Sequence, residues 1–243
     1  MSPKVGGVKI LQVVLPGDEV LQFNPDGNRE CIFIGPGLRW QENIIFATRS
    51  GVLKKTSQNL YYIDNHQKRY IPQKREFVIG IILKKNSDNY IIDIGGSEKA
   101  KISLMVFENS SKKTRKEMKP GDIIFGQVLV ANKDIEPELV CIDVFDNSVG
   151  IGALPEDGIM FSIPLHVARM IVNPDNSFLL TISKRIKFKI VVGFNGRVWL
   201  KAPRQSDMLA VMNCLLMLEV MPLKEAEWNV FRMIDSFSVK SRN

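Results

Sequence analysis

The tetrapeptide Gly193-Phe194-Asn195-Gly196 has the G-x-x-G pattern of a loop that can clamp the backbone of single-stranded nucleic acid. Such a loop acts from the junction of two short helices, where its main chain contacts the nucleotides. Here both flanks, residues 187–192 and 197–201, are rich in β-branched and aromatic residues. Asn-Gly between two such segments predicts a hairpin with a type I′ turn, in which both central residues have positive φ. We therefore interpret Gly193, Asn195 and Gly196 as a structural turn.

The strongest candidate for nucleic-acid contact is a basic run, Lys112-Lys113-Thr114-Arg115-Lys116. Four positive charges in five residues can neutralise phosphates and release counterions, which gives sequence-independent, salt-sensitive binding. The run lies on a long loop of a predicted β-barrel, and barrel loops are common oligonucleotide sites. The alternatives are a solvated loop and a loop that pairs with acidic residues of a partner protein.

A second basic group surrounds the first turn of the same barrel. Lys84 and Lys85 precede this turn, Tyr90 follows it, and Lys99 and Lys101 could extend the basic track. Aromatic side chains stack on bases at about 1–3 kcal/mol per base, so Tyr90 is a candidate for stacking. The alternative, which we favour, is a strand residue half-packed on the barrel.

No set of residues has the composition of a catalytic or metal site. Asp93 has no paired acid, base or metal set beside it in the sequence, and His66 and His166 with three scattered cysteines make no zinc pattern. We expect Asp93 to cap a turn, Gly17 to supply backbone freedom and Trp199 to contribute buried area. The sequence predicts no cofactor, and it predicts that the protein is not an enzyme.

The overall charge favours polyanionic partners. The chain has 243 residues, a net charge of +7 and a pI near 9.3, which suits RNA or DNA first and an acidic membrane surface second. Cys31, Cys141 and Cys214 are far apart in apolar surroundings, which is typical of free thiols in a reducing compartment, cytoplasm or nucleus or both. No stretch approaches the ~18 apolar residues of a membrane span, and residues 1–7 begin no secretory signal.

Short β-strands separated by Gly and Pro turns predict two β-domains in the first part of the chain. Residues 1–72 predict a small N-terminal β-domain. Residues 73–148 contain five predicted strands, 77–83, 90–94, 101–104, 123–130 and 139–143, with a longer connection after the third. This is the plan of an OB-fold barrel of the S1 type.

Residues 149–243 predict an α+β domain. The order is strand 159–163, helices 165–172 and 178–184, the hairpin, a helix from 207 to about 221 capped by Ser206, and a last helix from Pro222 to about 237. This is the arrangement of a KH domain with one extra helix. The junction of its first two helices, 173–177, where a clamp should lie, has no glycine. The predicted protein is therefore mainly β with a KH-like α+β C-terminal domain.

Seven short segments in collinear order carry a resemblance to a known family. They are VVLPGD (13–18), GPGL (35–38), KRYIP (68–72), FVIGI (77–81), SSKKTR (110–115), ANKDIEPE (131–138) and GFNGRVW (193–199). Each is weakly specific, but the ordered set covers nearly the whole chain. It resembles the RNA exosome cap subunits that have an N-terminal β-domain, an S1-type domain and a KH domain.

The resemblance implies a non-catalytic role. Cap subunits of this family sit on a ring of RNase PH-like subunits and guide single-stranded RNA into its channel, and separate exoribonucleases degrade the RNA from the 3′ end. The implied partners are the ring subunits, the other cap subunits and the exoribonucleases, with one copy of this chain in the complex. The implied location is the nucleus and nucleolus, and also the cytoplasm. The family also implies that the G-x-N-G motif is buried between the S1-type and KH domains.

Three rival functions remain open from the sequence. A standalone RNA-binding adaptor would bind RNA tightly by itself, which the missing clamp argues against. A nuclease with an OB accessory domain would need clustered acids or histidines, and the acidic residues are scattered among lysines. A scaffold that never touches RNA would use residues 112–116 to dock a protein.

Overall fold

The computed structural model describes residues 9–22, 32–103, 118–132, 134–141, 152–174, 176–223, 225–226 and 228–232. The predicted RNA-contact residues Lys112, Lys113, Arg115 and Lys116 lie outside these ranges. The chain divides into two compact units, Met1–Gln67 and Lys68–Asn243. The second unit contains both the barrel and the KH-like domain.

The first unit is a β-domain, as the Gly and Pro punctuation predicts. Its described strands are β1 (Lys9–Val14), β2 (Glu19–Gln22), β3 (Phe33–Ile34), β4 (Leu38–Gln41), β5 (Ile44–Ala47), β6 (Gly51–Lys55) and β7 (Leu60–Asp64). They form two sheets in the orders β1-β6-β7-β3 and β2-β5-β4. A small core of Val14, Ala47, Leu53 and Ile63 lies among them.

Gly17 occupies the turn between β1 and β2. Its φ is 96°, a value that residues with a side chain rarely adopt. Pro16 precedes it, as is common in a type II turn. The Gly17 amide donates to the Ala47 carbonyl at 2.8 Å, and the Leu15 amide donates to the Asp18 carboxylate at 2.8 Å. The turn therefore joins the end of β1 to β5.

The second unit begins with a closed barrel of five strands. They are β8 (Phe77–Lys85), β9 (Asn89–Asp93), β10 (Ala100–Ser103), β11 (Ile123–Val130) and β12 (Glu138–Val140). The order β12-β10-β9-β8-β11 closes on itself because β12 also pairs with β11. The five predicted strands are confirmed, although β12 ends earlier than predicted. A short strand, β13 (Gly152–Ala153), adds to β11 and leads out of the barrel.

The KH-like domain follows in the predicted order. Its elements are β14 (Ile159–Ser162), α1 (Leu165–Val172), α2 (Phe178–Ser183), β15 (Lys189–Val192), β16 (Arg197–Lys201) and α3 (Gln205–Met217). The sheet order is β14-β16-β15, all antiparallel. Residues 223, 225–226 and 228–232 are also helical. The mainly β fold with an α+β C-terminal domain is thus confirmed.

The predicted cap of α3 was wrong. The helix begins at Gln205 and its N-cap is Arg204, which makes no side-chain cap bond. The Met208 amide donates to the Arg204 carbonyl at 3.2 Å, so Ser206 lies within the first turn of the helix and cannot be its N-cap. A local capping signal was overridden because the chain turns into the helix directly after Pro203.

The G-x-N-G hairpin joins the KH-like domain to the barrel. The side chain of Asn195, which is 8 % exposed, reaches the main chain of two barrel segments. Its Nδ2 donates to the carbonyls of Ile79 (2.7 Å) and Ile94 (2.8 Å), and its Oδ1 accepts from the Ile79 amide at 3.2 Å. The Phe194 amide donates to the Phe77 carbonyl at 2.8 Å. The structure therefore confirms that the motif is buried between the two domains, as the family resemblance implies.

The turn itself differs from the predicted type I′. Gly196 has φ of 78°, but Asn195 is not among the residues of positive φ. The Gly196 amide donates to the Gly193 carbonyl at 3.0 Å, which closes a turn centred on Phe194 and Asn195. A left-handed glycine after such a turn is the arrangement of a three-residue hairpin loop with a bulge. The extra loop residue allows the Asn195 side chain to point into the barrel.

An ion pair adds to this junction. The guanidinium of Arg197 donates to the Asp93 carboxylate and to the Asp93 carbonyl, both at 2.5 Å. The second carboxylate oxygen accepts from the Gly95 amide at 3.0 Å, which is the expected turn-capping contact. Partial burial opposes ionisation of Asp93. The hydrogen bonds from Arg197 and Gly95 and the charges of Arg197 and Lys99 outweigh that effect and lower the pKa of Asp93.

Trp199 fixes the connection between the domains. Its indole is 3 % exposed, and Nε1 donates to the Pro155 carbonyl at 3.2 Å. The ring lies directly against Gly158, where a Cβ atom would come closer to it than van der Waals contact permits. The Leu154 amide in turn donates to Ile123 of β11 at 2.8 Å. Trp199 therefore connects the KH-like sheet to the segment that leaves the barrel.

The first prediction concerns the Asn195 amide. Asn195→Ala should lower the free energy of unfolding by about 2–3 kcal/mol, because several buried main-chain groups lose their partner. Asn195→Asp should cost at least as much, since a carboxylate cannot donate to the two carbonyls. Urea unfolding of the full chain measures both, with Asn86→Ala, an exposed asparagine of the β8–β9 turn, as the control. An Asp variant as stable as the native chain would contradict the assignment.

The second prediction concerns pH. Because folding lowers the pKa of Asp93 below its ordinary value of 3.8, ionised Asp93 stabilises the fold above that value. This contribution is lost as the pH falls through the lower, folded value. The difference in unfolding free energy between the native chain and Asp93→Asn should therefore be present at about pH 5 and shrink as the pH falls below 3.8. The exposed Asp88→Asn should show a smaller difference, and equal differences would contradict the account.

The third prediction concerns the contact of Gly158 with Trp199. Gly158→Ala should destabilise by about 1–3 kcal/mol through overpacking. Trp199→Phe removes part of the ring and the bond to Pro155, so it should also destabilise. The double variant should be more stable than the sum of the two losses by at least about 0.5 kcal/mol, because the smaller ring makes room for the new methyl. Strict additivity in thermal unfolding would contradict the contact.

Candidate nucleic-acid interface

The G-x-N-G hairpin has its main chain occupied by protein. The Gly193 amide donates to Arg197 at 2.9 Å, and the amides of Phe194 and Gly196 donate to the carbonyls described above. A Cβ atom on Gly193 would lie 2.8 Å from the Ile79 nitrogen. Gly193 therefore permits close approach to the barrel backbone, and three amides of the motif are unavailable to a phosphate.

The junction between α1 and α2, where a KH clamp would lie, is closed by Asn176. Its Nδ2 donates to the Met170 carbonyl at 2.8 Å, and its Oδ1 accepts from the Phe178 amide at 2.8 Å. The Asn176 amide donates to the Asn173 carbonyl at 3.0 Å. One side chain thus satisfies the end of one helix and the start of the next, groups that helix termini otherwise leave for ligands.

A basic row crosses the outer face of the barrel. Lys84 of β8 is directly opposite Ile91 of β9, and Ile91 is directly opposite Lys101 of β10. Residues opposite one another share a face, and neighbouring strands lie about 4.8 Å apart. Lys84 and Lys101 therefore flank Ile91, and Asn89 and Ser103 form the next row. We call these five residues the barrel face; the outer surface of these strands is where OB folds bind oligonucleotides.

The predicted lysines differ in their surroundings. Lys84, Lys85 and Lys99 are exposed. Lys101 is half-exposed and forms an ion pair with Glu136, which lies between β11 and β12. A phosphate at Lys101 would have to displace or share this partner.

Tyr90, the candidate for stacking on a base, has its ring inside the barrel. Tyr90 is 4 % exposed and belongs to the barrel core, with the Lys85 ammonium 6.0 Å from its ring centre. The reason is strand alternation, since Tyr90 and Ile92 point inward while Ile91 points outward. The half-packed strand residue favoured as the alternative is closer to the structure, although the packing is nearly complete.

The sequence analysis missed the uncharged members of the barrel face. Asn89, Ile91 and Ser103 attract no attention by residue type. The alternation around Tyr90 is the signal that could have identified them, because it places Ile91 opposite the flanking lysines. No residue of the barrel face is aromatic, so its two lysines suit contact with phosphates and it offers no ring on which a base could stack.

The described residues provide no metal site. Within the described ranges no group of three or more His, Cys, Asp or Glu residues could hold a metal ion. Cys141 and Cys214 are buried free thiols, and burial raises their pKa values to about 12 and about 11. Burial and a 2.6 Å bond to the Glu76 carboxylate raise the pKa of Tyr70. These groups stay neutral near pH 7. No helix in the described part of the chain has the length and hydropathy needed to cross a membrane.

Three family models match the chain in the order of its domains. The N-terminal model of mammalian exosome complex component RRP40 matches residues 12–66. The S1-domain model of exosome complex component RRP40 matches residues 70–152. A KH-domain model matches residues 158–206.

Whole-chain comparisons find relatives that are named exosome complex component RRP40. Exosome complex component RRP40 of Drosophila melanogaster is 36% identical, over 85% of this chain and 89% of that protein. The Homo sapiens protein of the same name is 35% identical, over 93% and 91%. The Saccharomyces cerevisiae one is 33% identical, over 83% and 88%.

A solved structure shares the fold. It is a crystal structure of a protein assigned as an exosome complex RNA-binding protein, with a TM-score of 0.57 and 22% identity. The alignment covers 72% of this chain and 98% of that one.

Since the domain models and the whole-chain relatives agree over most of the sequence, the chain belongs to the RRP40 family of exosome complex components.

Proposed function

We propose that this protein is a non-catalytic RNA-binding cap subunit of the RNA exosome. It guides single-stranded RNA into the ring channel for 3′-to-5′ processing and degradation by associated exoribonucleases. The observation that carries the proposal is the inward-facing Asn195, which commits the KH hairpin to holding the barrel. The barrel then presents Lys84 and Lys101 on a fixed face, as a guide for RNA requires.

The mechanism is positioning by charge. Lys84 and Lys101, with Lys85 and Lys99 beside them, contact phosphates without reading bases. Residues 112–116 supply further positive charge in the segment of sequence between β10 and β11. Each phosphate contact on a single strand changes the slope of log affinity against log salt by about 0.7. Binding of this kind is independent of sequence and suits a channel that must accept many RNAs.

The proposed assembly contains RNase PH-like ring subunits, other cap subunits and exoribonucleases, with one copy of this chain. Two groups of exposed apolar residues support docking. Val13, Leu15 and Phe33 lie on the first unit, and Val220 and Trp228 lie near the end of the described chain. We further propose that the protein acts in the nucleus and nucleolus and in the cytoplasm.

A second candidate function is a docking scaffold that does not touch RNA. The buried ring of Tyr90 and the ion pair of Lys101 with Glu136 favour it. Under this alternative the basic residues contact acidic surfaces of neighbouring subunits.

The fourth prediction separates the two functions. Lys84→Glu/Lys101→Glu should lower the affinity of the assembled complex for oligouridylate about tenfold and reduce the salt slope by about 1.4, because two phosphate contacts are lost. Lys112→Glu/Lys113→Glu/Arg115→Glu should act in the same direction. Lys68→Glu/Lys74→Glu, exposed lysines outside the barrel face, is the matched control. Fluorescence anisotropy measures affinity, and mass spectrometry of the purified complex checks its composition.

The contrary result is equally clear. Unchanged RNA affinity together with loss of neighbouring subunits would support the scaffold.

A tagged pull-down with RNase present, washed at moderate salt, should recover ring subunits, other cap subunits and an exoribonuclease in near-equal amounts. Recovery of the protein alone would contradict the exosome assignment and favour a standalone adaptor.

A further inference from the structure

A basic groove lies on the KH-like domain at the end of its hairpin opposite to Asn195. It has a volume of about 290 Å³ and is lined by Lys187, Phe188, Lys189, Lys201, Ala202 and Pro203. We call it the distal groove. Three of its six lining residues are lysines.

The register of the hairpin brings two of these lysines together. Lys189 of β15 is directly opposite Lys201 of β16. Ile190 and Leu200, the next pair, pack on the helix side in the core, so the lysines lie on the outer face of the sheet. Like charges directly opposite each other destabilise a sheet pair. The repulsion between Lys189 and Lys201 therefore lowers the stability of the sheet, which suggests a role for the pair other than stabilising the fold.

Ordinary roles account for only part of the cluster. Lysine on an edge strand protects it from pairing with other chains, which explains Lys189 at the start of β15. It does not explain Lys201, because β16 is the central strand of the described sheet. Lys201 forms an ion pair with Asp157, the one acidic partner recorded for the three lysines among the described residues. The groove therefore keeps a positive charge.

The shape of the groove indicates the kind of anion. Lys187 and Lys189 are exposed, while Phe188 between them packs against the core. The two lysines are two residues apart, so their Cα atoms are separated by at most about 7 Å. Successive phosphates of an extended single strand have a similar separation. The exposed Pro203 and the partly exposed Phe188 and Ala202 give the groove an apolar side that a ribose or base can contact.

We propose that the distal groove binds the phosphate backbone of single-stranded RNA, as a second contact separate from the barrel face. The inference rests on the proposed function, since it assumes that this subunit meets RNA. It gives the KH-like domain an RNA contact that uses neither the G-x-N-G hairpin nor the junction of α1 and α2.

The test uses the full chain and an oligouridylate that contains 4-thiouridine and a fluorophore. In the native protein, photo-crosslinks at low salt should map to residues 185–189 or 201–204. Lys187→Gln/Lys189→Gln should abolish these crosslinks, weaken binding about fivefold to tenfold and reduce the salt slope by about 1.4. Lys68→Gln/Lys74→Gln, which makes the same change in charge, should leave the crosslinks, the affinity and the salt slope unchanged.

A parallel variant on the barrel face, Lys84→Gln/Lys101→Gln, distinguishes the two claims. If only the barrel variant weakens binding and no crosslink maps to the groove, the distal groove is overturned and the proposed function stands. If only the groove variant weakens binding, the groove is supported and the barrel face is overturned. If neither variant changes binding, the distal groove and the barrel face are both overturned as RNA contacts. Loss of binding to a fluorescent oligoglutamate alone, with RNA binding intact, would overturn the proposal in favour of an acidic protein partner.

Discussion

The side-chain amide of Asn195 is the interaction on which the second unit depends. It satisfies main-chain groups of Ile79 and Ile94 from across the domain boundary. A buried amide must find partners for both its donors and its acceptor, and these partners exist only when the hairpin is seated on the barrel. The hydrogen bonds that the buried Asn195 amide requires therefore also fix the position of one domain on the other.

Other features of the hairpin follow from that requirement. Gly193 has no Cβ because the Ile79 backbone is in the way, and Gly196 has positive φ because the bulged loop needs it. Arg197 reaches Asp93 at the end of β9, and Trp199 covers the connecting segment at Gly158. A motif of the nucleic-acid-binding type is structural in this chain, and the surfaces that we propose for RNA contact are the barrel face, residues 112–116 and the distal groove.

Local patterns in the sequence predicted the elements well, because alternation and turn residues are local properties. The barrel strands, the hairpin and the helix pair all follow from them. The failures are non-local. The turn type at Asn195 depends on where its side chain must go, the cap of α3 on the chain direction after Pro203, and the burial of Tyr90 on which strand face closes the barrel.

The candidate sites show the same division. Exposed lysines such as Lys84 were identified by type, whereas the ion pair of Lys101 with Glu136 and the opposition of Lys189 and Lys201 depend on strand register. The burial of the G-x-N-G motif between domains was implied by family resemblance and not by the hairpin pattern itself. A turn signal gives the local conformation but does not say which surface the turn contacts.

Amide hydrogen exchange of the full chain, with and without single-stranded RNA, tests most directly whether the motif is structural. The account predicts slow exchange at Ile79, Phe194 and Gly196 in the free protein, because these amides donate to Asn195, Phe77 and Gly193. Added RNA should leave that protection unchanged. Fast exchange at these three amides in the free protein, with protection gained on adding RNA, would contradict the account and restore the hairpin as a nucleic-acid clamp.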